Sequence, residues 1–261
     1  MEKGMVRAVG AVGMLLMCTS SGVGHAHAQT VYQAAGPTAA SIQGTVDSFR
    51  AALGDPNNGN NGPQASGRRE INWDGGGSSA TSAPVTPFDV FLNTRGARFT
   101  TPGTGLSQAT PAGLAELFGN PTYANIFTAF SPLRLFTPVD SRITEGFFFV
   151  PGTTGGAPAT VTGFGAVFTD VDEPSGDKQD KHSTKIEYFD ADGKLLFTGL
   201  VPSAPGDGSL SFFGLVFEDA QIAQVRITAG NQSRGPGKDD DEHHDIVMMD
   251  DFIYGEPHPL P

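Results

Sequence analysis

Residues 147–254 read as short apolar runs separated by polar, turn-rich segments. That rhythm admits few folds. Runs of this length bounded by Gly, Pro, Asn and Asp are strand signals, and a succession of them makes an antiparallel β-sandwich or barrel. Strands are expected at 147–150, 160–169, 184–189, 194–200, 210–218, 223–228 and 246–254. In the second run Phe164, Ala166 and Phe168 alternate with Gly165, Val167 and Thr169. In the fifth, Phe213, Leu215 and Phe217 alternate with Phe212, Gly214 and Val216. Both faces of these two are apolar, which predicts central strands. Val225 and Ile227 alternate with Gln224, Arg226 and Thr228, which predicts a half-exposed strand.

The connections sort themselves by parity. If consecutive strands alternate in direction, the loops after Asp172, Leu200 and Thr228 fall at one end of the sandwich. The turn Asp190-Ala-Asp-Gly193 and the turn at 219–221 fall at the other. The first end then collects the long charged loops 173–183 and 230–245, and sandwiches carry function on such loop clusters. A charge run can equally be a solvated rim, and here lysines partly offset the acids. The 190–193 turn resembles the opening of a calcium loop. The remaining EF-hand spacing is absent, so it is read as a hairpin with Gly193 left-handed.

The N-terminal third is less regular. Ile42, Val46, Phe49 and Leu53 are spaced for one face of a helix over 41–53, with Gly54 to end it. Thr110-Pro111 opens a second helix through Leu114, Leu117 and Phe118, closed by Gly119, and Asn120-Pro121 begins a turn. Residues 55–67, rich in Asn and Gly, read as a loop. The expectation is one all-β, antiparallel β-sandwich domain over 41–256, with a few short helices in its N-terminal half. Its 41–132 part is expected to be a helix- and loop-rich elaboration, preceded by a flexible 29–40 and followed by a short tail at 257–261.

The first 28 residues read as an address. Lys3 and Arg7 precede an apolar stretch at 8–17, and Ala26-His-Ala28 fits a signal-peptidase pattern, so cleavage is expected after Ala28. The stretch is too short for a permanent anchor. Lipidation at Cys18 is disfavoured because Met17 is too large to precede a lipidated cysteine. A secreted protein, extracellular or periplasmic, follows. Cys18 is the single cysteine and would leave with the leader, so no disulfide and no thiolate chemistry are expected.

Charge excludes other partners. The net charge is −12, and loss of Glu2, Lys3 and Arg7 makes it one unit more negative. Such a chain is a poor partner for nucleic acid or anionic lipid and a good one for divalent cations. The aromatics are 19 Phe against 4 Tyr and 1 Trp, which predicts aromatics invested in the core and not on wet binding surfaces.

Candidate chemistry centres on four aspartates. Asp170 and Asp172 lie two apart at a strand end and so on one side of it. Asp250 and Asp251 sit among Met248, Met249, Phe252 and Ile253, where a carboxylate must be paired, hydrogen-bonded or metal-bound. A structural calcium site using some of the four, Asp170, Asp172, Asp250 and Asp251, is one expectation. The other is that Asp250 or Asp251 accepts backbone N–H bonds at a strand kink or pairs with Arg68, Arg69 or Arg226. Asp74 is a weaker candidate. His182, His243 and His244 lack the spacing of a zinc site. No nucleophile elbow and no marked glycosidase pair occur, so no catalytic residue is singled out. Asn231-Gln-Ser233 matches a glycosylation sequon.

Several stretches taken together carry a resemblance. They include Phe49-Arg-Ala-Ala-Leu-Gly54, Gly67-Arg-Arg-Glu-Ile-Asn-Trp-Asp-Gly75, Phe127-Thr-Ala-Phe-Ser131, Leu135-Phe-Thr-Pro138, Gly163-Phe-Gly-Ala-Val-Phe-Thr-Asp-Val-Asp172 and Met249-Asp-Asp-Phe-Ile-Tyr-Gly255. The chain resembles a group of secreted bacterial proteins of unestablished activity, some of which carry a PEP-CTERM sorting tail. The resemblance implies a jelly-roll-like sandwich in the C-terminal half, similar in style to carbohydrate-binding and lectin-like modules. It supplies no functional residues. Pro257-His-Pro-Leu-Pro261 has no apolar anchor or basic tail, so surface sorting is not expected to carry over.

Three functions compete. The first is a non-enzymatic extracellular binding or matrix module, with glycan the leading ligand class and calcium a structural support. The second is a hydrolase of extracellular polymers, which requires two carboxylates converging in a cleft. The third is a structural or adhesive surface protein.

Overall fold

A computed structural model of the chain describes residues 28–172, 184–241 and 243–260. The leader expectation at 1–28 lies outside the described residues except for Ala28, as does the loop at 173–183 with His182. No helix among the described residues is long and apolar enough to cross a membrane.

The chain runs β1 (Gln29–Gly36), α1 (Ala39–Leu53), β2 (Arg68–Ile71), α2 (Leu92–Arg95), β3 (Ala97–Thr100), β4 (Gly105–Ala109), α3 (Pro111–Phe118), α4 (Tyr123–Ile126), β5 (Leu135–Val139) and β6 (Ile143–Phe148). It continues with β7 (Ala159–Thr160), β8 (Gly163–Thr169), β9 (Lys185–Phe189), β10 (Leu195–Leu200), β11 (Leu210–Phe217), β12 (Gln224–Thr228), β13 (Met248–Gly255) and β14 (His258–Pro259). The larger sheet has the order β1-β11-β8-β13-β5-β4, with β2 also on β13, the five-stranded sheet has the order β10-β9-β12-β6-β3, and β14 pairs with β7 in a small two-stranded sheet. The strand pairings are antiparallel. The result is a β-sandwich.

Its core is the seam between the sheets. Phe99, Phe148, Ile186, Tyr188, Val225 and Ile227 from the smaller sheet meet Phe136, Phe164, Phe168, Phe213, Leu215 and Phe252 from the larger. Trp73 is buried at one end of this seam, stacked on Phe136 with centroids 3.7 Å apart. Every residue of β8 is buried, as its two apolar faces require, because α1 covers the face turned away from the seam. The four helical residues Ile42, Val46, Phe49 and Leu53 are the buried ones of α1. β12 is half-exposed on alternate residues.

Two expectations about the N-terminal part need correction. Residues 29–40 are not a flexible start: β1 pairs with β11 over its whole length, from Gln29 opposite Phe217 to Gly36 opposite Leu210. Its signal was weak because it is an edge strand with little apolar alternation, and its register comes from the partner. Residues 41–132 are likewise more than an elaboration, since β2, β3 and β4 extend both sheets.

Helix ends follow local chemistry. Thr110 caps α3 by accepting the Gly113 N–H at 3.1 Å, and Gly119 closes it in the left-handed region at φ 62°. The 190–193 turn is a hairpin: Asp190 Oδ1 accepts the Asp192 and Lys194 N–H groups, and Gly193 has φ 77°.

Candidate metal centre

Among the described residues, the loops that follow β10 and β12 meet at the end of β8. Asp170 N donates to Ser209 O at 2.9 Å and Ala204 N to Val171 O at 3.0 Å. Val201 N donates to Thr184 O at 3.1 Å, and Gly230 N reaches Thr184 Oγ1 at 3.0 Å. Asp172 N donates to Asp245 Oδ1 at 3.3 Å, which ties the ends of β8 and of the 230–245 loop together. At the opposite end Phe217 N donates to Thr162 O and Ala223 N to Phe189 O. Antiparallel alternation dictates this segregation. The helical segment before β5 buttresses the long-loop end, where Gly208 N reaches Ile126 O and Tyr123 Oη donates to Lys238 O at 2.7 Å.

Acidic side chains gather where these loops cross. Asp170 is fully buried just beyond β8, with φ 69°. Its Oδ1 accepts the Gly208 N–H at 3.2 Å, while its Oδ2 is buried and, among the described residues, accepts no hydrogen bond. Asp172 likewise has a buried Oδ1 that accepts none. Burial, then the charges of Asp240 and Asp172, push the Asp170 carboxyl up to about 9, with Asp207 adding to the rise. Burial also lifts Asp240 to about 7, against the lowering pull of the Ile246 N–H on its Oδ1 at 2.7 Å. Asp172 is raised by burial and steadied by a hydrogen bond with Asp240. Carboxyls that share a site hinder each other's ionisation, and a shared proton or a bound cation relieves that repulsion.

Asp250 and Asp251 belong to a different place. Met249 pairs with Phe168 and Phe252 with Ala166, so the two aspartates occupy a bulge between those pairs. Asp250 Oδ2 accepts the Phe130 N–H at 2.6 Å and the Ser131 N–H at 3.1 Å. Asp251 Oδ1 accepts the Ser131 hydroxyl at 2.6 Å, and Arg50 stands 3.5 Å from its other oxygen. Burial and the Asp251 charge hold the Asp250 carboxyl well above the usual range. This is the hydrogen-bonded kink foreseen as the alternative to a metal, with Arg50 in place of the arginines named from the sequence. Asp74 is similarly committed, accepting the N–H groups of Leu133 and Arg134.

The four aspartates therefore form two groups with separate partners. Asp170 and Asp172 acquire Asp240 and Asp207 as neighbours. The sequence could not name those two, because they come from loops far along the chain. Hard carboxylate oxygens from loosely arranged loops are what calcium takes, and the buried oxygens of Asp170 and Asp172 that accept no bond fit such an ion. Among the described residues no three acidic, histidine or cysteine side chains are arranged to hold a metal as they stand. Backbone carbonyls and water would have to complete a calcium shell. His244 Nδ1 lies 3.0 Å from the Asp241 carboxylate across a tight turn, and Asn231 Oδ1 accepts the Asp245 N–H at 2.9 Å. No family model matches the chain, and no curated protein and no solved structure matches it.

Proposed function

We propose that the chain is an exported, non-enzymatic binding module, jelly-roll-like in topology, that takes an extracellular glycan and is braced by calcium at its long-loop end. The observation that carries the calcium reading is Asp170. It is a fully buried carboxyl with one oxygen that accepts no hydrogen bond, set among the acids Asp172, Asp240 and Asp207. A buried carboxylate without compensation is costly, and a divalent cation supplies that compensation to several at once. Asp170 and Asp172 would hold the ion through their buried oxygens, with backbone carbonyls and water completing the shell, Asp240 beside them and exposed Asp207 at the rim. A bound ion would neutralise the like charges and tie the 201–209 and 230–245 loops to the end of β8.

The jelly-roll reading draws support from the way the chain crosses between the sheets at β5 to β6, β8 to β9, β10 to β11, β11 to β12 and β12 to β13. Export and the glycan class rest on the leader pattern, the acidic charge and the resemblance to secreted proteins. The test of calcium is metal analysis of protein purified without chelator, followed by thermal melting with and without EDTA. Bound calcium and a midpoint lowered by EDTA are expected. A midpoint indifferent to both EDTA and millimolar calcium sinks the reading.

One observation favours a hydrolase as a second reading. Asp240, held near 7 beside Asp172, could carry a proton at neutral pH, as a general acid must. The same closeness argues against it for glycosides, where the two carboxyls stand roughly 5–9.5 Å apart to flank the scissile bond. Release of reducing sugar from polysaccharide, abolished by Asp240→Asn, would favour the hydrolase over the binding module.

A further inference from the structure

The outer face of the five-stranded sheet carries a polar row that the acidic centre does not use. Register aligns Thr100, Glu145, Arg226, Glu187 and Thr198 side by side across β3, β6, β12, β9 and β10. At the β3 side of this row lies a groove of about 430 Å³, lined by Thr100, Thr101, Pro102, Ile143, Glu145 and Arg226. Its size is that of an ordinary small-ligand site.

The hydrogen bonding inside the row is lopsided. Arg226 Nε and Nη2 both donate to Glu145 Oε1, at 3.0 and 2.8 Å, and Gln224 Nε2 reaches the same oxygen at 3.5 Å. Among the described residues Glu145 Oε2 and Arg226 Nη1 take no part in that bonding, so the pair brings an uncommitted acceptor and an uncommitted donor to the lining of the groove. A ligand of either charge meets a like charge there. A vicinal pair of hydroxyls meets none, because one hydroxyl can donate to Oε2 while its neighbour accepts from Nη1. Apolar surface is at hand from Ile143 and from Phe147, both half-buried and two residues either side of Glu145 along β6.

The aromatic inventory agrees with this location. Trp73, Tyr123, Tyr188 and Tyr254 are buried, so none of them can form a sugar platform, and the remaining tyrosine, half-buried Tyr32, sits on β1 of the other sheet against Phe49. Of the phenylalanines on this face, Phe189 and Phe149 lie under the guanidinium groups of Arg226 and Arg98, at 5.6 and 5.5 Å. Phe147 stands between Arg98 and Gln224 in the register.

We propose that this groove is a subsite for a neutral sugar unit of an extracellular glycan, gripped through a vicinal diol by Glu145 and Arg226. The proposal rests on the glycan reading above and adds the place and the charge class of the ligand. The test is affinity electrophoresis of the full chain through gels containing a β-glucan, a mannan or a xylan, with alginate as the charged counterpart. Arg226→Ala, Glu145→Gln and, as a remote control, Lys194→Ala are run alongside, with melting curves to establish that each folds. Retardation in a neutral gel is expected, weakened about tenfold by either groove variant, which corresponds to about 1.4 kcal/mol, and unchanged in Lys194→Ala. Retardation that survives both groove variants overturns the site and leaves the glycan reading standing. Retardation in alginate alone overturns the neutral class. No retardation of the wild type in any gel overturns both the site and the glycan reading.

Discussion

Arg69 and Glu256, far apart in the chain, form a bidentate ion pair that is wholly buried, with Nε and Nη2 each 2.6 Å from a carboxylate oxygen. The guanidinium also donates to carbonyls of the Asn/Gly-rich loop, Gly59, Asn61 and Gly62, at 2.7 to 2.9 Å, and to Thr94 O at 3.3 Å. Glu256 in turn accepts the Asn58 amide at 2.8 Å and the Gln64 N–H at 3.0 Å. A loop whose composition suggests mobility is thus wrapped around a charge pair that anchors it to the end of β13. Removing one member leaves the other buried and uncompensated, so Glu256→Gln should destabilise the fold by about 3–5 kcal/mol. Urea denaturation checks it, and a loss below about 1 kcal/mol, a surface pair's worth, would refute the role assigned to the pair.

That pair also shows where sequence reading stops. The strand rhythm, the helical faces of α1 and α3, the hairpin at 190–193 and the meeting of the loops after β10 and β12 at one end were all legible, because each depends on residues close in sequence or on strand parity. β1 was not, since an edge strand borrows its register from its neighbour. Asp170 and Asp172 stood out as a pair and the charged 230–245 loop was placed at their end, yet nothing local singled out Asp240 within that loop, or Asp207, as their neighbour. Asp250 and Asp251 looked like metal ligands because an apolar setting demands compensation. That compensation comes from the backbone of Phe130 and Ser131, about 120 residues away in sequence.

The separation of the two acid groups is testable. Asp250→Ala would strand the Phe130 and Ser131 N–H groups, at a cost of about 1–3 kcal/mol each. It should lower the melting midpoint clearly while leaving intact any difference between the calcium-loaded and EDTA-treated protein. Asp170→Asn should do the reverse, abolishing the calcium-dependent shift. If Asp250→Ala also erased that shift, the two groups would be one site.

Helix α1 docks through a notch made by two glycines. Gly165 and Gly214 face each other across β8 and β11, and the Phe49 ring fills the space their missing side chains leave. A Cβ on Gly214 would stand 2.7 Å from that ring, too close for both to remain in place. Gly214→Ala should therefore cost about 1–3 kcal/mol through overpacking. Adding Phe49→Leu should recover part of that loss in a double-mutant cycle, since the two sites share one volume. Strictly additive losses would mean that the ring and the glycine do not compete.

Stability of the calcium-free protein should fall as pH rises. Asp170 and Asp240 have carboxyls raised from 3.8 to about 9 and about 7 in the folded state, chiefly by burial. A raised folded pKa means that folding favours the protonated form. The associated stability is complete below the unfolded value near 3.8 and is lost progressively as pH climbs towards 7 for Asp240 and 9 for Asp170. In EDTA the melting midpoint should thus be higher at pH 5 than at pH 8, the opposite of a protein limited by salt-bridged carboxylates. Calcium competes with those protons, so its stabilising effect should be largest at pH 8 and shrink towards pH 5. Melts across this range with EDTA and with calcium decide the matter. Parallel curves, or a calcium effect that grows on acidification, would show that protons and cation do not contend for the carboxylates of Asp170 and Asp240.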